Sequence, residues 1–133
     1  MSFEHRAMEL GSDKDTVFIA MSKKSFYFYR HAVKYALESG YVPISPFASF
    51  DYFMTDVVER DVVREANNNL IKISDEMWVV GPVSDGVLAE IKLCRREDIP
   101  VRYFKIVDSK DMEEVEKGDV VLEDEVKEFK SDL

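Results

Sequence analysis

"EMWVVGPVSDGVLAEIKLCRRE", residues 76–97, passes from a strand through a loop into a helix. After Glu76 the run is continuously apolar, the pattern of a strand covered on both faces. Gly81 and Pro82 break it. From Asp85 the apolar positions fall at Val87, Leu88, Ile91 and Cys94, a spacing that places all four on one side of a helix. Ser84 or Asp85 supplies the cap, and capping alone is a sufficient role for Asp85. A strand feeding a helix that packs back onto it is the unit of a parallel sheet.

The unit recurs on either side. "TVFIAM" (16–21) is a β-branched and apolar strand. Ser25 can cap a helix running to about Ser39 and stopped by Gly40, with Phe26, Tyr29, Val33, Ala36 and Leu37 on its inner face. "YVPIS" (41–45) is a second strand, put at an edge by Pro43. The aromatic loop "PFASFDYFMTD" leads to a helix from about Asp56 to Ser74, and "VRYFKI" (101–106) is a fourth strand. The remainder offers a short strand at "DVVL" (119–122) and a last helix from Glu123. Strand and helix alternate, so the expected fold is a three-layer α/β sandwich. Its sheet is expected to be mostly parallel and doubly wound, with four to five strands, flavodoxin- or Rossmann-like. Residues 1–15 read as a poorly ordered arm, 16–106 as the domain, and 107–133 as an acidic extension packed on it or trailing from it.

At 133 residues and 46% hydrophobic, the chain suits one domain with one sizeable core. No apolar run nears the ~20 residues that span a bilayer, and "MSFEHRAMEL" lacks a signal peptide's apolar core, so a cytoplasmic, membrane-free protein is expected. The single cysteine, Cys94, rules out an internal disulfide, fits a reducing compartment and packs as a small apolar residue. His5 and His31 are far apart, His31 on an exposed-looking helix face, and no Cys/His spacing suggests zinc. Neither a P-loop nor a dinucleotide fingerprint is present, so no metal and no cofactor is expected. Net charge is −9, and residues 108–133 carry eleven Asp/Glu against four Lys/Arg, a local net of −7 that leaves −2 for the body. Such a chain repels nucleic-acid polymers, yet its near-neutral body can hold one small anion. The acidic tail reads as a solvated surface.

Glu90 carries the chemistry. In a doubly wound sheet, ligands sit beyond the carboxyl ends of the strands. Helical side chains lean toward the N-terminus, so Glu90 is expected to point at that crevice, with Gly86, four residues back, leaving room for a ligand. Glu90 also borders the apolar stripe between Val87 and Cys94, where partial desolvation raises a carboxyl pKa and makes a better nucleophile or base. The competing reading is a structural glutamate that complements the helix dipole. A capping box is excluded, because Val87, three residues before Glu90, cannot cap.

"DEMWVVGPVSDGVLAEIKLCRREDIPVRYF" resembles the C-terminal half of small domains related to nucleoside 2-deoxyribosyltransferases. The closest pattern is an uncharacterised branch in which an acidic-aromatic strand is followed by Gly, then Ser/Thr-x-Gly, then a helical glutamate. "VFIAMS", "GYVPISPFASFDYF" and "ERDVV" fall where that branch has its first strand, second strand and second helix, so the resemblance spans roughly residues 16–106. It implies that Glu90 attacks C1′ of a nucleoside or nucleotide, that the base departs, and that water or a second base resolves a glycosyl-enzyme ester. Ser84 stands where the nucleotide hydrolases have a serine on the 5′-phosphate and the transferases an aspartate on the sugar. Gly86 would help seat the substrate. Backbone N–H groups at the helix start suit the anion, while Asp85 repels it. An aspartate of the second helix assists base departure or orients the glutamate in the relatives. Asp61 of "ERD" matches that local motif, whereas an ungapped match lands near Asn67; Asp85 is a further candidate to assist. The relatives' Gly-rich first loop is replaced by "MSKKSF", where Ser22, Lys23 and Lys24 either hold a phosphate or are simply solvated. Phe47 stands where the branch often has histidine after proline.

Ten of the sixteen aromatic residues lie between Phe26 and Phe53, so Phe47, Phe50, Tyr52 or Phe53 can stack on a base, close the core or line a subunit contact. Phe28 and Tyr35, off the expected inner stripe, suggest a second surface for an isologous dimer, and the resemblance likewise implies a homodimer or higher homo-oligomer. The expected function is cofactor-free cleavage or transfer at the N-glycosidic bond of a nucleoside or nucleoside 5′-monophosphate. The alternatives are a non-catalytic nucleotide sensor of the same fold and a structural oligomer.

Overall fold

The computed structural model describes residues 1–50 and 57–133. Five strands are present: β1 (Thr16–Ala20), β2 (Val42–Ile44), β3 (Glu76–Val80), β4 (Val101–Val107) and β5 (Asp111–Val115). The α-helices are α1 (Tyr29–Glu38), the short α2 (Pro46–Ser49), α3 (Arg60–Lys72) and α4 (Asp85–Arg96). One sheet holds all five strands in the order β2-β1-β3-β4-β5. The first four run parallel, in register through pairs such as Phe18 with Ile44 and with Met77, and Trp78 with Arg102. β5 turns back antiparallel to β4, with Ile106 opposite Met112.

β1 after Thr16 and β3 after Glu76 are continuously apolar because both faces are covered. Phe18, Ala20, Met77, Val79 and Tyr103 face a core closed by Ile71 of α3 and by Val87, Leu88, Ile91 and Cys94 of α4. Val17, Ile19, Trp78, Val80 and Phe104 face a second core closed by Phe28, Ala32 and Ala36. Alternate residues of a strand point to opposite faces, so each strand feeds both cores. The result is an α/β domain with a mostly parallel five-stranded sheet between helical layers. No helix among the described residues is long and apolar enough to cross a membrane.

Several local expectations change. The fifth strand is Asp111–Val115, not 119–122; residues 108–110 form the hairpin loop, and Asp108 and Ser109 take φ of 52° and 61°. The "DVVL" segment instead lies outside the sheet, pairing only through a parallel bridge from Leu122 to Val83. A 3-10 helix, Lys23–Phe28, precedes α1, and its cap is Ser22, not Ser25. Three residues per turn there shift the phase of everything downstream. The fully buried stripe is Phe28, Ala32 and Ala36; of the expected inner positions Tyr29 and Val33 pack half-buried on this core and Ala36 is buried, while Phe26 and Leu37 are exposed. Phe28 and Tyr35 thus form no second surface: Phe28 is fully buried, and the Tyr35 ring packs 6.0 Å from Trp78 and 5.8 Å from Phe104. His31, expected on the surface, is half-buried beside the Phe28 ring.

The N-terminal arm is exposed along residues 1–15, with one 3-10 turn at Arg6–Glu9. The last helix is also 3-10, Asp124–Asp132, and it packs on α4. It anchors the acidic extension to the domain through buried Val120, Leu122, Val126 and Leu133. Gly81, leaving β3 with φ of 81°, lets the chain pass where a side chain would crowd Ile106 and Ser25, 3.1 and 3.2 Å from the position of a Cβ.

Candidate functional site

α4 starts where β3 ends. Ser84 is its cap, in extended conformation, and its Oγ accepts from the Val87 N–H at 3.3 Å. Asp85 is exposed and accepts from the Gly86 N–H at 2.7 Å. A Cβ at Gly86 would meet nothing nearer than Ser84 Oγ at 4.0 Å, so space is open beside it and no internal contact requires glycine. Glu90 follows one helical turn later on the same side of α4.

The partner of Glu90 comes from the neighbouring helix. Asn67 of α3 donates from Nδ2 to Glu90 Oε2 at 2.6 Å. Asn67 Oδ1 is buried and has no hydrogen-bond partner among the described residues. Part of Glu90's surface stays accessible, yet burial of its carboxyl pushes the pKa up from 4.5 to about 7, against the opposing effect of the Asn67 bond. Cys94, a turn further along, is pushed up to about 12, first by burial and then by the Glu90 charge, which keeps the thiol protonated and inert. Near neutral pH Glu90 is close to half ionised. It is a nucleophile or base when deprotonated and a proton donor when not.

The two aspartates that the sequence offers stand elsewhere. Asp61 lies in the first turn of α3, exposed and paired with Arg64 at 2.9 Å. Six positions separate it from Asn67, about 9 Å along the helix and about 120° around it. α3 therefore turns Asn67 toward Glu90 and Asp61 away. Asp61 instead borders an open surface depression of about 310 Å³ with Glu65 and Asn69. A second depression, of about 450 Å³, lies between α4 and the C-terminal helix at Lys92, Arg95 and Lys117. Neither is lined by Glu90.

At the end of β1, Ser22 is buried, and its hydroxyl donates to Glu123 Oε2 at 2.6 Å. Ser22 Oγ in turn accepts from the Lys24 N–H at 3.3 Å, and Lys24 Nζ lies 3.6 Å from Glu123 Oε1. Lys23 is exposed. Phe47 is half-buried and packs edge-on against Phe26 at 5.1 Å, at the rim of the second core. Phe50 caps the end of α2, while Tyr52 and Phe53 lie outside the described residues. Among the described residues no group of three His, Cys, Asp or Glu side chains is placed to hold a metal ion. Glu123 is the residue that sequence reasoning missed. Its one local sign was apolar Leu122 and Val126 on either side, a pattern that an entirely solvated tail does not need.

Fold and site together define an α/β domain in which a desolvated helical carboxylate is held by an amide from the adjacent helix. Residues 18–104 match the family described as Domain of unknown function (DUF7768), and the chain belongs to that family. No curated protein and no solved structure matches it. The matched segment contains Ser22, Asn67, Ser84, Gly86 and Glu90; Glu123 lies beyond it.

Proposed function

We propose that this protein cleaves or transfers at the N-glycosidic bond of a nucleoside or nucleoside 5′-monophosphate, with Glu90 as nucleophile, on a Rossmann-like doubly wound fold related to the nucleoside 2-deoxyribosyltransferases that it resembles. One observation carries the reading. The Glu90 carboxyl is largely desolvated with a neutral amide as its hydrogen-bond donor, beside a buried acceptor that has no partner among the described residues. A carboxylate kept for structure is ordinarily matched by a cation or by several N–H groups. One that is desolvated and only partly satisfied suits chemistry.

In the proposed reaction a Glu90 oxygen bonds to C1′ as the C1′–N bond breaks, and the bonding pair leaves with the base. The Asn67 amide orients the attacking carboxylate. Ser84 and the space beside Gly86 seat the sugar or its phosphate. Water or an acceptor base then attacks C1′, the ester C–O bond breaks, Glu90 is freed as a carboxylate, and the proton lost by the attacking water or acceptor base is taken up by the departed base. A second reading, a nucleotide-binding protein without turnover, is favoured by Asp61 and Asp85. Both are exposed and bonded elsewhere, so neither is set to protonate a departing base.

The test is chromatographic detection of free base after long incubation of the full chain with a panel of nucleosides and their 5′-monophosphates, beside thermal-shift measurements on the same panel. Base release that falls by on the order of 10³-fold in Glu90→Ala is the expected result. Ligand stabilisation without release selects the second reading. Undiminished release from Glu90→Ala rejects the nucleophile, and a panel that neither stabilises nor reacts rejects both.

A further inference from the structure

The acidic C-terminal segment places one of its carboxylates inside the fold. Glu123 N–H donates to the Val83 carbonyl at 2.8 Å, and Val83 N–H donates to the Val121 carbonyl at 2.9 Å. Residues 121–123 thus lie alongside the loop from β3 to α4, at the carboxyl end of the parallel strands. This fixes the Glu123 side chain over the turn that follows β1, where Ser22 and Lys24 receive it. Its side chain is only 10% exposed, whereas that of Lys24 is 76% exposed. The lysine reaches in from solvent to an anion already sunk against a buried hydroxyl. A 2.6 Å O–H···O⁻ bond is in the short, charge-assisted range. The other acidic residues of this segment are on the surface or bordering it, as a solvated tail requires.

We infer that the Ser22–Lys24 turn is an anion site that the protein fills with its own Glu123, so that a phosphate or phosphomonoester enters only by displacing that carboxylate. A phosphate dianion presents three oxygens and more charge than a carboxylate to the same hydroxyl and ammonium. The exchange requires no movement of the segment's main chain. Val120, Leu122 and Val126 hold it in the core, so the group that gives way is the Glu123 side chain. Glu123 is then a built-in competitor supplied from outside the family-matched segment, and it sets how strongly an anion must bind to gain entry. This inference does not rest on Glu90 chemistry: the turn can exchange anions whether or not Glu90 reacts.

The test uses the full chain and two probes, inorganic phosphate and uridine 5′-monophosphate, titrated by calorimetry at constant ionic strength. Removing the internal carboxylate in Glu123→Ala is expected to tighten binding of one or both probes about tenfold or more. Lys24→Ala in the same background is expected to abolish the gain. Glu123→Gln keeps the side-chain shape and a partner for Ser22, so it should show a smaller gain in the same direction; it also serves as the folded control if Glu123→Ala is unstable. Affinity for both probes that is unchanged or weaker in the Glu123 variants, or a gain that survives Lys24→Ala, overturns the inference.

Discussion

Replacing Glu90 by glutamine should stabilise the protein, and by an amount that depends on pH. The folded-state pKa of Glu90 is about 7 against an ordinary value of 4.5, so between those values the folded chain binds a proton that the unfolded chain has lost. Stability contributed by protonated Glu90 is therefore fully present below about pH 4.5 and drains away as pH rises through 7. At about 1.36 kcal/mol for each tenfold change in proton affinity, the loss is on the order of 3 kcal/mol by pH 8. Glutamine carries no such charge, and its amide can both accept from Asn67 Nδ2 and donate to Asn67 Oδ1. Wild type and variant should match near pH 4, while at pH 8 the variant should be more stable by about 3 kcal/mol, or about 10 °C in melting temperature. The assay is urea unfolding at several pH values, followed by the fluorescence of Trp78, the sole tryptophan, which is buried between β1 and β4. Subtracting the two pH profiles cancels every other titrating group. Parallel profiles would mean that Glu90 ionises as it does in water, and both the desolvated site and the reaction proposed for it would lose their basis. A stabilising Glu90→Gln that also lost activity would show stability given up for function.

Two further outcomes follow from packing. Arg102 grips Glu114 through two bonds of 2.8 and 3.0 Å, reaches Glu76 at 3.2 Å, and lies 5.2 Å from the Trp78 ring centroid. These partly exposed contacts together are worth about 2 kcal/mol, so Arg102→Ala should lower the urea midpoint accordingly and Arg102→Lys should recover less than half; an unchanged midpoint would refute the role. Gly81→Ala forces a positive φ on alanine and pushes a methyl against Ile106 and Ser25, so a loss of about 1–3 kcal/mol is expected; a melting temperature equal to wild type would show that the turn relaxes freely.

Where a segment's own residues decided its conformation, the sequence was legible. β1 and β3 are apolar runs because both faces are covered, β4 buries adjacent Tyr103 and Phe104 in opposite cores, and α4 carries its cap and its stripe in adjacent positions. β5 was not legible. "DMEEV" lies at an edge, buries only Met112 fully, and is created by the hairpin from β4 rather than by its own pattern. The "DVVL" run has the better strand composition, yet its alternate valine and leucine serve as anchors outside the sheet. The inner face of α1 was legible at Tyr29, Val33 and Ala36 but not at its ends, where Phe28 replaces Phe26 because a 3-10 turn precedes the helix and no residue between 23 and 28 announces that turn. At the site, Glu90 and Ser84 were visible through local spacing. The choice between Asp61 and Asn67 was not, because it depends on how α3 is rotated against α4. Ser22 and Glu123, 101 positions apart, meet only through the completed fold.

Pro43 has a consequence for how copies of this domain can meet. Val42 N–H points inward, to the Asp15 carbonyl, so the next nitrogen along β2 faces the open rim, and there the residue is proline. β2 consequently offers no outward amide proton for an incoming strand to grasp. At the opposite rim, β5 carries Asp111, Glu113 and Glu114, the last two paired with Lys105 and Arg102 of β4, and charged side chains of this kind discourage an edge from taking a further strand. Sheet-to-sheet pairing is thus disfavoured at both borders, by a missing amide proton at one and by charged side chains at the other.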